Sequence, residues 1–144
     1  ALTLQPEFAW NVLAVVGMGV QCYIQGFSVM PLRKKLKVDY PDNGNGRYAA
    51  KLTDEEWLEF NNHQRAHQNY LEALPVIQSI TLAAALYQPR YSAIAGGVYI
   101  LARQLYANGY RKHGPKGREF GALLGAACLA VNLGIALYGS VIAT

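Results

Sequence analysis

The stretch RAHQNYLE, residues 65–72, holds Arg65, Gln68, Asn69 and Glu72 within about two helical turns. At about 100° per residue the four share one face of a helix. At about 1.5 Å of rise per residue, Glu72 lies roughly 10 Å beyond Arg65. A guanidinium, two amides and a carboxylate in one row suit a small, multiply anionic ligand that also carries an amino group. A second stripe follows in YILARQLYANGY, where Tyr99, Arg103, Tyr106 and Tyr110 are spaced by four, three and four residues. These fall within roughly 60° of one helical face. Arg103 is the expected partner of Glu72. A ligand pocket and a purely structural ion pair between helices both satisfy these residues. His63, His67 and His113 lack the arrangement of a metal-ligand set, so no metal is expected.

The elements that must position these groups are apolar. Hydrophobic residues make up 52% of the 144-residue chain and charged residues 15%, against about a quarter charged in soluble domains. Residues 8–32 and 120–144 are each 25 residues without a charge, and 73–89 adds 17 more. Runs of roughly 17–25 apolar residues match the thickness of a bilayer. The first run lacks a basic leader and exceeds the core of a cleaved signal, so it is expected to remain as a helix. Cys22 and Cys128 both lie inside apolar runs, as small hydrophobes do.

Four helices are expected: 8–35, 54–87, 92–111 and 118–142, in a single membrane domain of the all-α class. Thr53 and Glu56 form a capping-box pattern at the start of the second. Pro75 is a candidate kink in that helix and Pro89 its stop. Gly121 and Gly125 bracket a small-xxx-small pattern that lets helices approach closely in lipid. Ten of the 13 Lys and Arg fall on the first and third connections or the adjoining helix ends. Those connections therefore face the cytosol, and both termini the opposite side. A charge at bilayer depth costs at least about 2.5–3.5 kcal/mol, so the polar stripes must face protein or a cavity. This topology gathers Arg33, Arg65, Tyr106, Tyr110 and Arg118 at the cytosolic face. Nothing resembles the selectivity ring of a channel, and no nucleic-acid partner is expected.

Three segments carry a family resemblance: LRKKLKVDYP at 32–41, FNNHQRAHQNYLEALP at 60–75 and GGVYILARQLYANGY at 96–110. Together they resemble the MAPEG family, the membrane-associated proteins of eicosanoid and glutathione metabolism. The pattern is most similar to its type 3 and type 2 microsomal glutathione transferases and to leukotriene C synthase. The resemblance implies a four-helix protomer assembled as a homotrimer in the endoplasmic reticulum or another internal membrane. It implies glutathione as co-substrate, bound between protomers near the cytosolic face, and a lipophilic electrophile arriving through the membrane lipids. The implied activity is glutathione transfer, with lipid-hydroperoxide reduction beside it; a non-enzymatic lipid-presenting role is the alternative within the family. By motif position, Arg33, Arg65, His67, Asn69, Glu72, Tyr106 and Tyr110 are the implied glutathione-binding residues, with Tyr99 and Arg103 lining the site. Arg118 is implied to activate the sulfur, with Arg111 or Lys116 as alternatives because the link from Tyr110 is one residue longer than in leukotriene C synthase. Lys34 stands where some members carry a second catalytic arginine. Arg65 and Glu72, absent from the non-catalytic member of the family, favour an enzyme.

Overall fold

The computed structural model describes residues 3–143. Its helices are α1 (Phe8–Gly26), α2 (Met30–Leu36), α3 (Asp54–Ala85), α4 (Pro89–His113) and α5 (Glu119–Ala143). A 3₁₀ turn at Phe27–Val29 joins α1 to α2, so the two act as one rod of four in an all-α bundle. The tighter turn falls where Pro31 has no N–H to give the carbonyl of Phe27. Phe8–Leu36 and Glu119–Ala143 are long and apolar enough to cross a membrane, with mean hydropathies of 1.6 and 2.1. Only 22% of each apolar window is buried inside the protein, so these rods turn most of their apolar surface outward, as lipid-facing helices do. Leu13, Val16, Leu123 and Leu137 are all more than half exposed.

The less apolar α3 and α4 form the inner pair. They pack on each other and on both α1 and α5, which flank them. The interior cluster joins Met18 and Cys22 of α1, Tyr70 and Ile77 of α3, Tyr99 of α4 and Cys128 of α5. Between apolar layers, polar groups tie the rods. Asn132 donates to the Thr81 hydroxyl at 3.1 Å, Ser92 to the Thr81 carbonyl at 2.9 Å, and Asn11 to the Pro89 carbonyl at 2.8 Å. In lipid, packing and such bonds hold helices together, because hydrocarbon is as apolar as leucine.

The helix ends differ from the sequence expectation in ways the local chemistry explains. The third helix starts at Pro89, three residues before Ser92, because proline's fixed φ and missing N–H suit the first helical position. It runs on to His113, where Gly114 takes a positive φ of 66° to end it. The second helix passes through Pro75 unbroken and ends at Ala85, two residues short of Tyr87. Its start carries both halves of the capping box: Glu56 N–H to Thr53 Oγ1 at 3.3 Å, and Thr53 N–H to Glu56 Oε2 at 3.0 Å.

The 37–53 connection is built around two charges. Asp42 is buried and accepts N–H bonds from Gly44, Gly46 and Ala49 at 2.8–2.9 Å. Burial pushes its carboxyl up, but the backbone N–H groups outweigh that and hold it below the ordinary aspartate range. The Arg33 guanidinium donates to the carbonyls of Val38 and Asp42 and to Asn43 Oδ1, and it stacks on the rings of Tyr40 and Phe60.

Because the folded-state value is lowered, the contribution of Asp42 is complete above the unfolded carboxyl range of about 4 and fades as pH falls through the lower folded value. The hydrogen-exchange protection of residues 43–50, relative to the intrinsic rate at each pH, should therefore be high at neutral pH and fall below about pH 4, and Asp42→Asn should show the low protection at neutral pH. Helix packing makes a second prediction. A Cβ on Gly121 would stand 2.7 Å from the Ala102 carbonyl oxygen and closer still to the Tyr106 nitrogen, whereas one on Gly134 meets nothing within 4 Å. Gly121→Ala should lower the thermal midpoint in detergent by the equivalent of about 1–3 kcal/mol, and Gly134→Ala should not lower it.

Candidate functional site

The glycine contact just described sets the site. Gly121 brings α5 so close to α4 that their backbones nearly touch, Gly125 packs on the Tyr99 ring one turn on, and a groove opens alongside, walled by α4 and α5 with Asn69 of α3 at its edge. It holds about 540 Å³ and is lined by Asn69 of α3, Tyr99, Arg103 and Tyr106 of α4, and a face of α5 from Glu119 to Leu129. The α5 wall is apolar below Glu119 and consists of Gly121, Ala122, Leu123, Gly125, Ala126 and Leu129. Polar groups therefore gather at one end and one side of a greasy slot.

Arg118 stands at that polar end, at the entry to α5. Its Nη1 donates to the Tyr106 hydroxyl at 3.2 Å, and its guanidinium carbon lies 6.0 Å from the Tyr106 ring and 5.6 Å from that of Tyr110. The two tyrosine rings are themselves 5.9 Å apart, both buried, and pack on Ala66. Arg103, 5% exposed, lies 4.1 Å from the Tyr106 ring centroid and 4.5 Å from that of Tyr70. Its Nη1 donates to Asn69 Oδ1 at 2.9 Å.

Arg103 thus meets Asn69 and not Glu72. The Glu72 carboxylate takes Arg65 instead, at 3.4 Å, with Arg65 also on Gln68 at 3.1 Å. One turn separates Asn69 from Glu72, and the shorter reach to Asn69 is the one Arg103 makes from inside the bundle. The side chains of Arg65 and Glu72 are 45% and 61% exposed. An ion pair that open contributes under about 1 kcal/mol to stability. Stability alone does not account for two charges on this face.

Of the expected residues, Arg65, Glu72 and Tyr110 stand outside the lining, and His67, Arg33 and Lys34 lie elsewhere. His67 projects to the other side of α3, where its ring packs against Gly26 of α1 and lines a separate groove with Tyr23, Phe27 and Tyr40. Arg33 is engaged with its own loop, and Lys34 is exposed beside it. Of the alternatives to Arg118, Arg111 reaches the Gln25 carbonyl of α1 at 3.4 Å, on the side of α4 away from the groove, and Lys116 is exposed in the turn. Arg118 alone of the three lines the cleft.

The α5 wall was not singled out as part of the site by sequence reasoning. Its signal was present: small residues recur at 121, 122, 125 and 126, so this face of the helix can border a slot as well as pack.

What the arrangement offers is an anion site with an apolar extension. A guanidinium that cannot give up its proton sits beside phenolic hydroxyls. Glu119 adds a carboxylate to the lining, the Arg65–Glu72 pair lies outside it on the exposed face of α3, and a hydrocarbon-lined channel runs on below. The MAPEG family model matches residues 11–138, a span that contains every residue of this groove and nearly all of the four rods, and the chain belongs to that family.

Proposed function

We propose that the protein is a membrane glutathione transferase, working as a homotrimer on the cytosolic side of an internal membrane. The observation that carries the reading is the placement of Arg118, whose guanidinium reaches the Tyr106 hydroxyl at the polar mouth of an otherwise apolar groove. Family membership supports it, since the family includes glutathione transferases. Glutathione is a tripeptide with two carboxylates, one amino group and a thiol. Glu72 would take the amino group, Arg65 a carboxylate and Asn69 a backbone acceptor. Arg33 and His67 face away from this groove, so they would serve a ligand held against a neighbouring protomer.

The chemistry follows from charge. A thiol of pKa about 8.5–9 is mostly protonated at neutral pH. A fixed guanidinium beside the sulfur stabilises the thiolate and not the thiol. Lowering the pKa by about two units takes roughly 2.7 kcal/mol, within reach of one charge-assisted contact in a partly dry site. The proton leaves to water. The thiolate then attacks an electrophilic carbon lodged in the apolar part of the groove. A carbon–sulfur bond forms as a carbon–oxygen bond of an epoxide opens, and the alkoxide takes a proton from water. A halogenated aromatic would instead lose halide with its electron pair. With a hydroperoxide, sulfur attacks oxygen and the O–O bond breaks to give the alcohol and a sulfenic acid. A second glutathione converts that to the disulfide and water.

Arg118→Ala should lower transferase turnover at least about tenfold, the equivalent of about 1.4 kcal/mol of transition-state stabilisation, while glutathione still binds. The ultraviolet thiolate band that appears on adding glutathione to the wild-type protein should vanish in this variant. Turnover unchanged in Arg118→Ala, or lost in Arg111→Ala instead, would move the role. Glu72→Gln should raise the glutathione dissociation constant about tenfold, read by calorimetry in detergent, with turnover at saturation much less affected.

A further inference from the structure

Among the described residues Asn69 is the only amide side chain lining the groove, and one side of it is already committed. Its partner at 2.9 Å is a guanidinium nitrogen of Arg103. Arginine carries N–H donors and no acceptor at all. Whichever way the amide is drawn, the atom facing Arg103 must be the carbonyl oxygen. The NH2 group is then the atom left to face the groove. It can donate and cannot accept.

Arg103 is well suited to enforce this. It is 5% exposed, its guanidinium carbon lies 4.1 and 4.5 Å from the ring centroids of Tyr106 and Tyr70, and no carboxylate of the described residues pairs with it. Tyr70 is itself tied to α1, through its hydroxyl to Gln21 Oε1 at 2.8 Å, and Gln21 donates onward to the Ile100 carbonyl at 2.9 Å. The guanidinium therefore has little freedom to turn away, and its charge makes the bond to Asn69 stronger than one between neutral groups.

We propose that Arg103 is a positioning residue that pins the Asn69 carbonyl, so that Asn69 presents only N–H donors to the groove and selects a hydrogen-bond acceptor on the ligand. Resting on the reading of the site as a glutathione site, the group selected is a carbonyl or carboxylate of the tripeptide. A ligand offering only an N–H at that point would leave two donors facing each other.

The test uses Asn69→Asp, which keeps an oxygen for Arg103 but turns an acceptor toward the groove. It also uses Arg103→Met, which cannot donate, and the double variant, all as full-length protein purified in detergent. Asn69→Asp should bind glutathione at least about tenfold more weakly than wild type without losing thermal stability, an outcome that a merely structural contact would not give. Arg103→Met should weaken binding several-fold, Arg103→Lys, which keeps a donor but not the ring-held fork, should restore it only in part, and the double variant should be no worse than the weaker single one. Asn69→Asp binding within twofold of wild type, or losses that multiply in the double variant, would overturn the proposal. A thermal-unfolding cycle with Asn69→Leu and Arg103→Met needs no ligand: the shifts should fail to add, and additive shifts refute the pinning. If wild-type protein binds no glutathione, the functional reading fails, and this cycle alone decides whether Arg103 holds Asn69.

Discussion

A guanidinium inside a membrane bundle has no water to fall back on. At bilayer depth its charge carries a penalty of a few kcal/mol unless the protein supplies partners. In this chain Arg103 is that group, and the middle of the bundle is arranged around it. Tyr70 comes from α3, Tyr106 from its own helix, and Asn69 supplies an oxygen at 2.9 Å. Each aromatic contact of this kind is worth about 0.5–2 kcal/mol, more when dry, so two rings and a charge-assisted bond are of the right size to offset the cost. The same contacts fix how α3 sits on α4. Every residue at the groove's polar end inherits its place from that pairing or from the glycine contact that lays α5 alongside.

The glycine contact and the arginine answer each other. Gly121 stands against the backbone at Ala102 and Tyr106, within one turn of Arg103. A larger residue there would push α5 outward and carry Arg118 away from the Tyr106 hydroxyl. Close packing in lipid and the placement of the groove's chemistry are thus one feature. Small residues permit the approach, the approach aims the guanidinium, and the missing side chains leave the slot beside it.

Much of this was legible in the sequence, and the limits are physical. Uncharged runs gave three of the four rods because a bilayer demands that length, and the capping box at Thr53 and Glu56 gave the start of α3 because local chemistry decides it. Periodicity placed Arg65, Asn69 and Glu72 on one face and Tyr99, Arg103, Tyr106 and Tyr110 on another. It could not say which member of one face meets which member of the other. A charge-matching rule favours Arg103 with Glu72, yet depth and reach decide, and Arg103 finds an amide. Periodicity likewise could not reveal that His67, two residues from Asn69, points toward α1 and a different groove. The role of Arg33 in its own loop was hidden for another reason. It depends on the path of residues 38–43, a turn whose course is set by Asp42 collecting backbone N–H groups from as far as Ala49.

The choice of cation at each place is the last consequence. Arg33, Arg103 and Arg118 each use the guanidinium as a plane as well as a charge, stacking near Tyr40 and Phe60, Tyr70 and Tyr106, and Tyr106 and Tyr110. Lysine would keep the charge and lose the stacking geometry and the fork of donors. The lysines of this chain lie outside, at the loops and helix ends, where a strongly hydrated point charge keeps its water. That division matters for an anionic ligand. A guanidinium held by rings keeps its donors aimed before the ligand arrives, so less freedom is lost on binding, whereas a free lysine at the same spot would have to be ordered first.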